Sequence, residues 1–322
     1  MASVTQRIKQ ITQPYGGYLP AKLFDKTYLQ DDYVLYEEEN IAASLIGLAV
    51  DYLTRFKLGE TAKKAFSISL NGALLINMYD KALSLVNKIN GLDDISIISA
   101  CKLCGFDVCF RQSLNAYTPI EEIEPDKKTI YNIKVMVERS LKFFSEYGPV
   151  ICSEPVFDGG YTSTVHSGDG DFVTIDTLWD FKVSKNHITS KHTLQILMYY
   201  IMGQHSIYKY FNNIKYLGFY NPRLNIVYLY PVNNISPEII NIIEKEVICY
   251  DKTISKYDSA MKRKIENNNS TLKNNRFSSQ SEYDKNVEQL EKNILIIGII
   301  GVVIFIIIII AVLSLIASIL LE

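Results

Sequence analysis

Apolar residues recur at helical spacing through the first half of the chain and at alternate positions through much of the second. Ile41, Leu45, Leu48, Ala49, Tyr52 and Leu53 make one stripe, and the spacing predicts a helix with Asn40 at its N-cap. A second helix is predicted over residues 60–89, with a break near Asn71-Gly72, and a third from Ile95 to Leu103, stopping at Gly105. Asp126 then caps a long helix to Tyr147, which Gly148-Pro149 ends.

Past that point the period changes to two. Val150 to Phe157 reads as a strand, Asp158-Gly159-Gly160 as a hairpin turn, and Tyr161 to Val165 as the return. Asp171 to Ile175 and Leu178 to Val183 form a second pair of short strands around Asp176-Thr177. A helix is predicted from His192 to Tyr210, then strands Ile214 to Tyr220 and Ile226 to Tyr230 across Asn221-Pro222-Arg223. Helices followed by a meander, a helix and more strands predict an α/β (α+β) body.

One segment breaks both periods. From Ile294 to Leu321 every residue is apolar, Gly or Ser. Crossing about 30 Å of hydrocarbon takes roughly 20 helical residues, so the run predicts a transmembrane helix. Lys262, Arg263, Lys264, Lys273, Arg276, Lys285 and Lys292 precede it and only Glu322 follows. The positive-inside rule then expects residues 1–292 in the cytoplasm, a single-pass protein anchored to the lipid bilayer through 294–321. The expected parts are a helical region over 1–148, a core over 149–251, a polar linker over 252–292 and the anchor over 293–322.

Charge adds little to this picture. Lys and Arg number 33 against 35 Asp and Glu, so nucleic-acid contact would have to come from a local patch. Hydrophobic residues at 48% exclude a mainly disordered chain. Five unevenly spaced cysteines predict no disulfide scaffold, and MASVTQRIKQ lacks the apolar stretch of a secretory signal.

The stretch that carries chemistry runs from Ser167 to Lys182, SGDGDFVTIDTLWDFK. Read as a hairpin, it puts Asp171 at the start of one strand and Asp180 on its partner. Lys182, two residues on, leaves the same strand face as Asp180. Two acids and a lysine crowded among Phe172, Val173, Leu178, Trp179 and Phe181 are costly to bury unless a cation sits between the acids. Mg2+ takes few protein carboxylates and accepts phosphate oxygens, and a neighbouring lysine can orient an attacking water. Gln195 and Tyr199, one helical turn apart, address one side of the following helix.

Gly-Asp-Gly-Asp-Phe, Trp-Asp-Phe-Lys and Gln-x-x-x-Tyr in this order resemble the PD-(D/E)xK nuclease superfamily, in particular its RecB-type exonuclease branch. The resemblance covers Val150 to about Tyr230. It implies a restriction-endonuclease-like mixed sheet core against a helical N-terminal half. It further implies Asp171 and Asp180 as ligands of Mg2+ or Mn2+, Lys182 as the residue positioning the water, and Gln195 and Tyr199 as DNA-contacting or supporting residues. Asp169 competes with Asp171, which leads directly into the apolar strand. The branch often carries a metal-binding histidine on an early helix, where this chain has Asp51; an exposed acid on an amphipathic helix is the alternative. Glu154 is a further candidate acid.

Cys101, Cys104 and Cys109 have metal-like spacing, but Cys101 and Cys104 also continue the apolar stripe of a core helix. His166, His187, His192 and His205 follow no metal-binding spacing; surface loops are the expected place for them, with substrate or phosphate contact by one of them as the alternative. The expected function is a membrane-anchored, metal-dependent nuclease acting on nucleic acid, DNA first. The alternative is an inactive nuclease-like module that binds nucleic acid or a protein partner at the membrane.

Overall fold

The computed structural model describes residues 2–111 and 113–250. The expected linker and the apolar run over 294–321 lie outside the described residues. Among the described residues no helix is long and apolar enough to cross a membrane.

The chain starts with β1 (Ala2–Ser3) and α1 (Val4–Gln10), joined by a capping box between Ser3 and Gln6. An exposed strand, β2 (Asp25–Tyr28), comes next. The helical half consists of α2 (Ala43–Lys57), α3 (Ala62–Ala65), α4 (Ser67–Leu75), α5 (Tyr79–Val86), α6 (Asp94–Cys104), α7 (Asp107–Arg111) and α8 (Lys127–Tyr147). Ile46, Val50 and Leu53 of α2 pack with Ile97, Ala100, Cys101 and Cys104 of α6 and with Ile133, Met136 and Val137 of α8 in one buried cluster. Asp126 caps α8 as expected, its carboxylate accepting from Thr129 N–H at 2.8 Å.

The sequence expectations fail here in two instructive places. Asn40 does not cap α2, whose N-cap is Ala42. Its side chain instead accepts from Asp126 N–H and donates to the Glu124 carbonyl, tying the approach to α2 onto the start of α8. The helix expected over 60–89 is three, split at Phe66 and at Asn77, where φ is +58°. Gly72 is no breaker. A Cβ there would come within 2.0 Å of the Phe106 carbonyl oxygen, so glycine is what lets α4 lie against the start of α7.

The strands are β3 (Cys152–Ser153), β4 (Val165–Ser167), β5 (Phe172–Val173), β6 (Thr177–Phe181), β7 (Tyr216–Asn221) and β8 (Ile226–Pro231). They are joined by α9 (Ser190–Gln204) between β6 and β7, and α10 (Pro237–Ile242) follows. Six strands form a mixed sheet in the order β2-β8-β7-β6-β5-β3, parallel only between β6 and β7, with α9 as the crossover. The hairpin expected over 150–165 does not form. Glu154 turns the chain at φ +50° and Pro155 has no N–H to give a ladder. Phe157 is drawn onto Tyr199 and Phe211, and β4 pairs in parallel with β1.

Alternation along β6 sorts its side chains between two layers. Trp179 and Phe181 face α8, packing against Phe143 at ring separations of 4.8 and 5.5 Å. Asp180 and Lys182 face α9. The architecture is therefore mixed α/β, with a helical half and a mixed sheet held in one compact unit.

Arg139 of α8 fastens the N-terminal strap to this sheet. Its guanidinium donates to both Asp31 carboxylate oxygens at 2.6 and 2.9 Å, to Tyr33 O, and to the carbonyls of Pro222 and Arg223 in the β7–β8 turn. Hydrogen bonding from Arg139 holds the Asp31 carboxyl below its usual range. Removing one partner of a buried pair costs about 3–5 kcal/mol. Arg139→Met should lower the unfolding free energy by about 3 kcal/mol in a denaturant titration. Because the folded pKa of Asp31 is depressed, its stabilising share is complete above the unfolded value near ~3.9 and is lost as pH falls through the folded value. The gap between wild type and Asp31→Asn should therefore narrow in acid.

Candidate active site

The antiparallel register pairs Phe172 with Trp179 and Val173 with Leu178. One step outward it sets Asp171 opposite Asp180. Asp171 Oδ2 accepts from Phe181 N–H at 2.6 Å, so β6 itself anchors that carboxylate. Asp180 is 2% exposed, and its Oδ2 lies 2.5 Å from Lys182 Nζ without a well-formed hydrogen bond. Lys182 also donates to Gln195 Oε1 at 3.2 Å, and Gln195 Nε2 donates to the Tyr199 hydroxyl at 2.9 Å. Tyr199 is in turn stacked on Phe157. Asp171, Asp180, Lys182, Gln195 and Tyr199 thus come together between the sheet and α9.

Electrostatics mark the cluster as strained. Burial and the neighbouring Asp180 charge push the Asp171 carboxyl well above the usual range, against the pull of Lys182. Burial pulls Lys182 down, but the charges of Asp180 and Asp171 outweigh it and hold the ammonium above its usual value. Asp51 of α2 adds to the negative field felt by Asp171. Burial raises its own carboxyl, and Arg55 opposes the rise.

Arg55 is the residue that the sequence reading did not single out. Only 1% exposed, its guanidinium lies 3.3 Å from Asp51 and 2.6 Å from Glu154. The Glu154 backbone N–H donates to Asp171 O at 2.9 Å, so one residue touches the acid strand with its backbone and the early helix with its side chain. A left-handed Glu is costly, and the Arg55 pair together with this bond holds it there. Arg111 extends the network, 3.5 Å from Asp107 and 3.9 Å from Asp169. Asp169 is about half exposed, so Asp171 is the acid of the motif that enters the interior. The Asp51–Arg55 and Asp107–Arg111 spacings, each i,i+4 on one helix, are readable signals; the approach of Arg111 to Asp169 has none. Cys101, Cys104 and Cys109 are free and buried in the helical half, and burial pushes the Cys101 thiol up to about 12.

One feature suits a hard divalent cation between Asp171 and Asp180: two neighbouring carboxylates, with burial and the Asp180 charge holding the Asp171 carboxyl above its usual range. Among the described residues no group of three or more His, Cys, Asp or Glu forms a protein cage. Mg2+ commonly takes one or two carboxylates and retains waters, so a two-carboxylate donor set fits it.

Arg55→Met would leave Asp51 and Glu154 without their buried counter-charge. It should destabilise the protein by about 3 kcal/mol in chemical unfolding, with Arg55→Lys recovering part of the loss. No family model, curated protein or solved structure matches this chain.

Proposed function

We propose that the chain is a metal-dependent nuclease of the PD-(D/E)xK, RecB-type kind. It hydrolyses phosphodiester bonds of nucleic acid, DNA foremost, at the cytoplasmic face of a membrane to which residues 294–321 fix it. The observation that supports this reading most is the meeting of Asp171, Asp180 and Lys182 at the end of two paired strands, with Gln195 and Tyr199 behind the lysine.

In this reading Asp171 and Asp180 hold Mg2+ or Mn2+, with Asp51 of α2 as a further acid near them. A divalent cation there supplies Lewis acidity to a phosphate oxygen. Lys182, kept charged by the acid pair, donates to a water and turns its lone pair toward phosphorus. The ammonium is shared between Asp180 and Gln195, and Tyr199 fixes Gln195. Attachment at a membrane would confine cutting to nucleic acid that arrives there, which suits defence against entering foreign DNA.

The binding-module reading draws on the thinness of the donor set, which stops at two carboxylates with Asp51 beside them. It predicts retention of DNA without cleavage under every metal condition.

The full chain in mild detergent should cut linear DNA with Mg2+ or Mn2+ and stop on chelation. Asp180→Ala and Lys182→Ala should each lower kcat by about a thousandfold while the circular dichroism spectrum is kept. Binding without cleavage by the wild type would instead establish the module. In a separate measurement Mn2+ should raise the Tm of the wild type, and Asp180→Asn should abolish that rise.

A further inference from the structure

The acid pair and Lys182 account for one wall of the site; the start of α9 supplies another group that the reading above leaves without a task. His192 lies one turn before Gln195 and two turns before Tyr199, at positions i, i+3 and i+7 of one helix face. That face carries the Lys182–Gln195–Tyr199 chain of hydrogen bonds. Its imidazole is half-buried and feels the charges of both Lys182 and Asp180. Thr189 N–H donates to Nδ1 at 3.2 Å, as the third residue of a helix does for its cap. This bond occupies Nδ1 as an acceptor, so the neutral ring carries its proton on Nε2. Burial, reinforced by the Lys182 charge, favours that neutral form.

Resting on the nuclease reading, we propose that His192 is a substrate-contacting residue, its Nε2–H donating to a non-bridging oxygen of a backbone phosphate next to the one attacked. The ligand class is a phosphodiester strand. A neutral donor suits this place, because Lys182 already supplies the positive charge and a second cation would compete with it for Asp180. The helix start that fixes Nδ1 also fixes the ring, so the donor is presented without a further ordering cost.

The test compares the full-length wild type with His192→Gln and His192→Ala on a duplex oligonucleotide with Mg2+. Gln at this position keeps an acceptor for Thr189 N–H and a donor beyond it; Ala keeps neither. His192→Ala should lose ten- to a hundredfold in kcat/KM, chiefly through KM, and His192→Gln should stay within threefold. A capping role alone would change thermal stability and leave KM unmoved. Single uncharged methylphosphonate linkages placed around the cut give the second readout. The position that slows the wild type tenfold should slow His192→Ala less than threefold, since the contact is already gone. Wild-type cleavage with unimpaired His192→Ala, or full multiplication of the two effects at every position, overturns the inference alone. Absence of cleavage by the wild type removes the nuclease reading and this contact with it.

Discussion

Two carboxylates set opposite each other across a strand pair, Asp180 buried and Asp171 half-buried, set the terms for everything around them. Asp171 and Asp180 sit at the edge of an aromatic layer in which Phe143 and Phe144 of α8 grip Phe172, Trp179, Phe181 and Tyr220. That layer removes solvent that would otherwise screen the repulsion between the acids. The protein answers with one ammonium from the same strand and with a backbone N–H to one of the acids. Both leave the two acids close together where burial and the neighbouring charge hold the Asp171 carboxyl well above its usual range.

The helical half enters this balance through one side chain. Arg55 is buried on α2, yet its partners lie on both sides of the division between helices and sheet. It opposes the rise that burial gives the Asp51 carboxyl and pairs with Glu154, whose backbone stands in a conformation that the residue would not choose alone. Tyr52 lies under the guanidinium at 4.7 Å and donates to Asp107, so the counter-charge is braced from beneath. The early helices are thus part of the electrostatics of the site as well as its scaffold.

Much of this could be read along the chain, because its signals are local. The carboxylates, the lysine and the α9 residues lie in one short stretch, and strand alternation with helical spacing suffices to put them on facing surfaces. Helices with strong stripes, such as α2 and α8, were legible for the same reason. What could not be read depends on distant partners. Val150 to Val165 alternates like a hairpin, but Phe157 is buried against Tyr199 of α9 and Phe211, and β4 finds β1 from the far N-terminus. Gly72 has the look of a breaker until the Phe106 carbonyl is placed beside it. Arg111 pairs with Asp107 at a helical spacing, but Asp169 reaches it only through the fold.

The way the two ends of the described body are tied has a bearing on synthesis. β2, near the start, pairs only with β8, and Arg7 of α1 donates to the carbonyls of Glu246 and Val247. While the ribosome is still adding residues before Ile226, β2 has no strand to pair with, although β1 can already meet β4. A nascent polypeptide therefore carries its acid pair and lysine without the outer strand and clasp that close the body around them. The body therefore closes only after nearly all of its residues have left the exit tunnel.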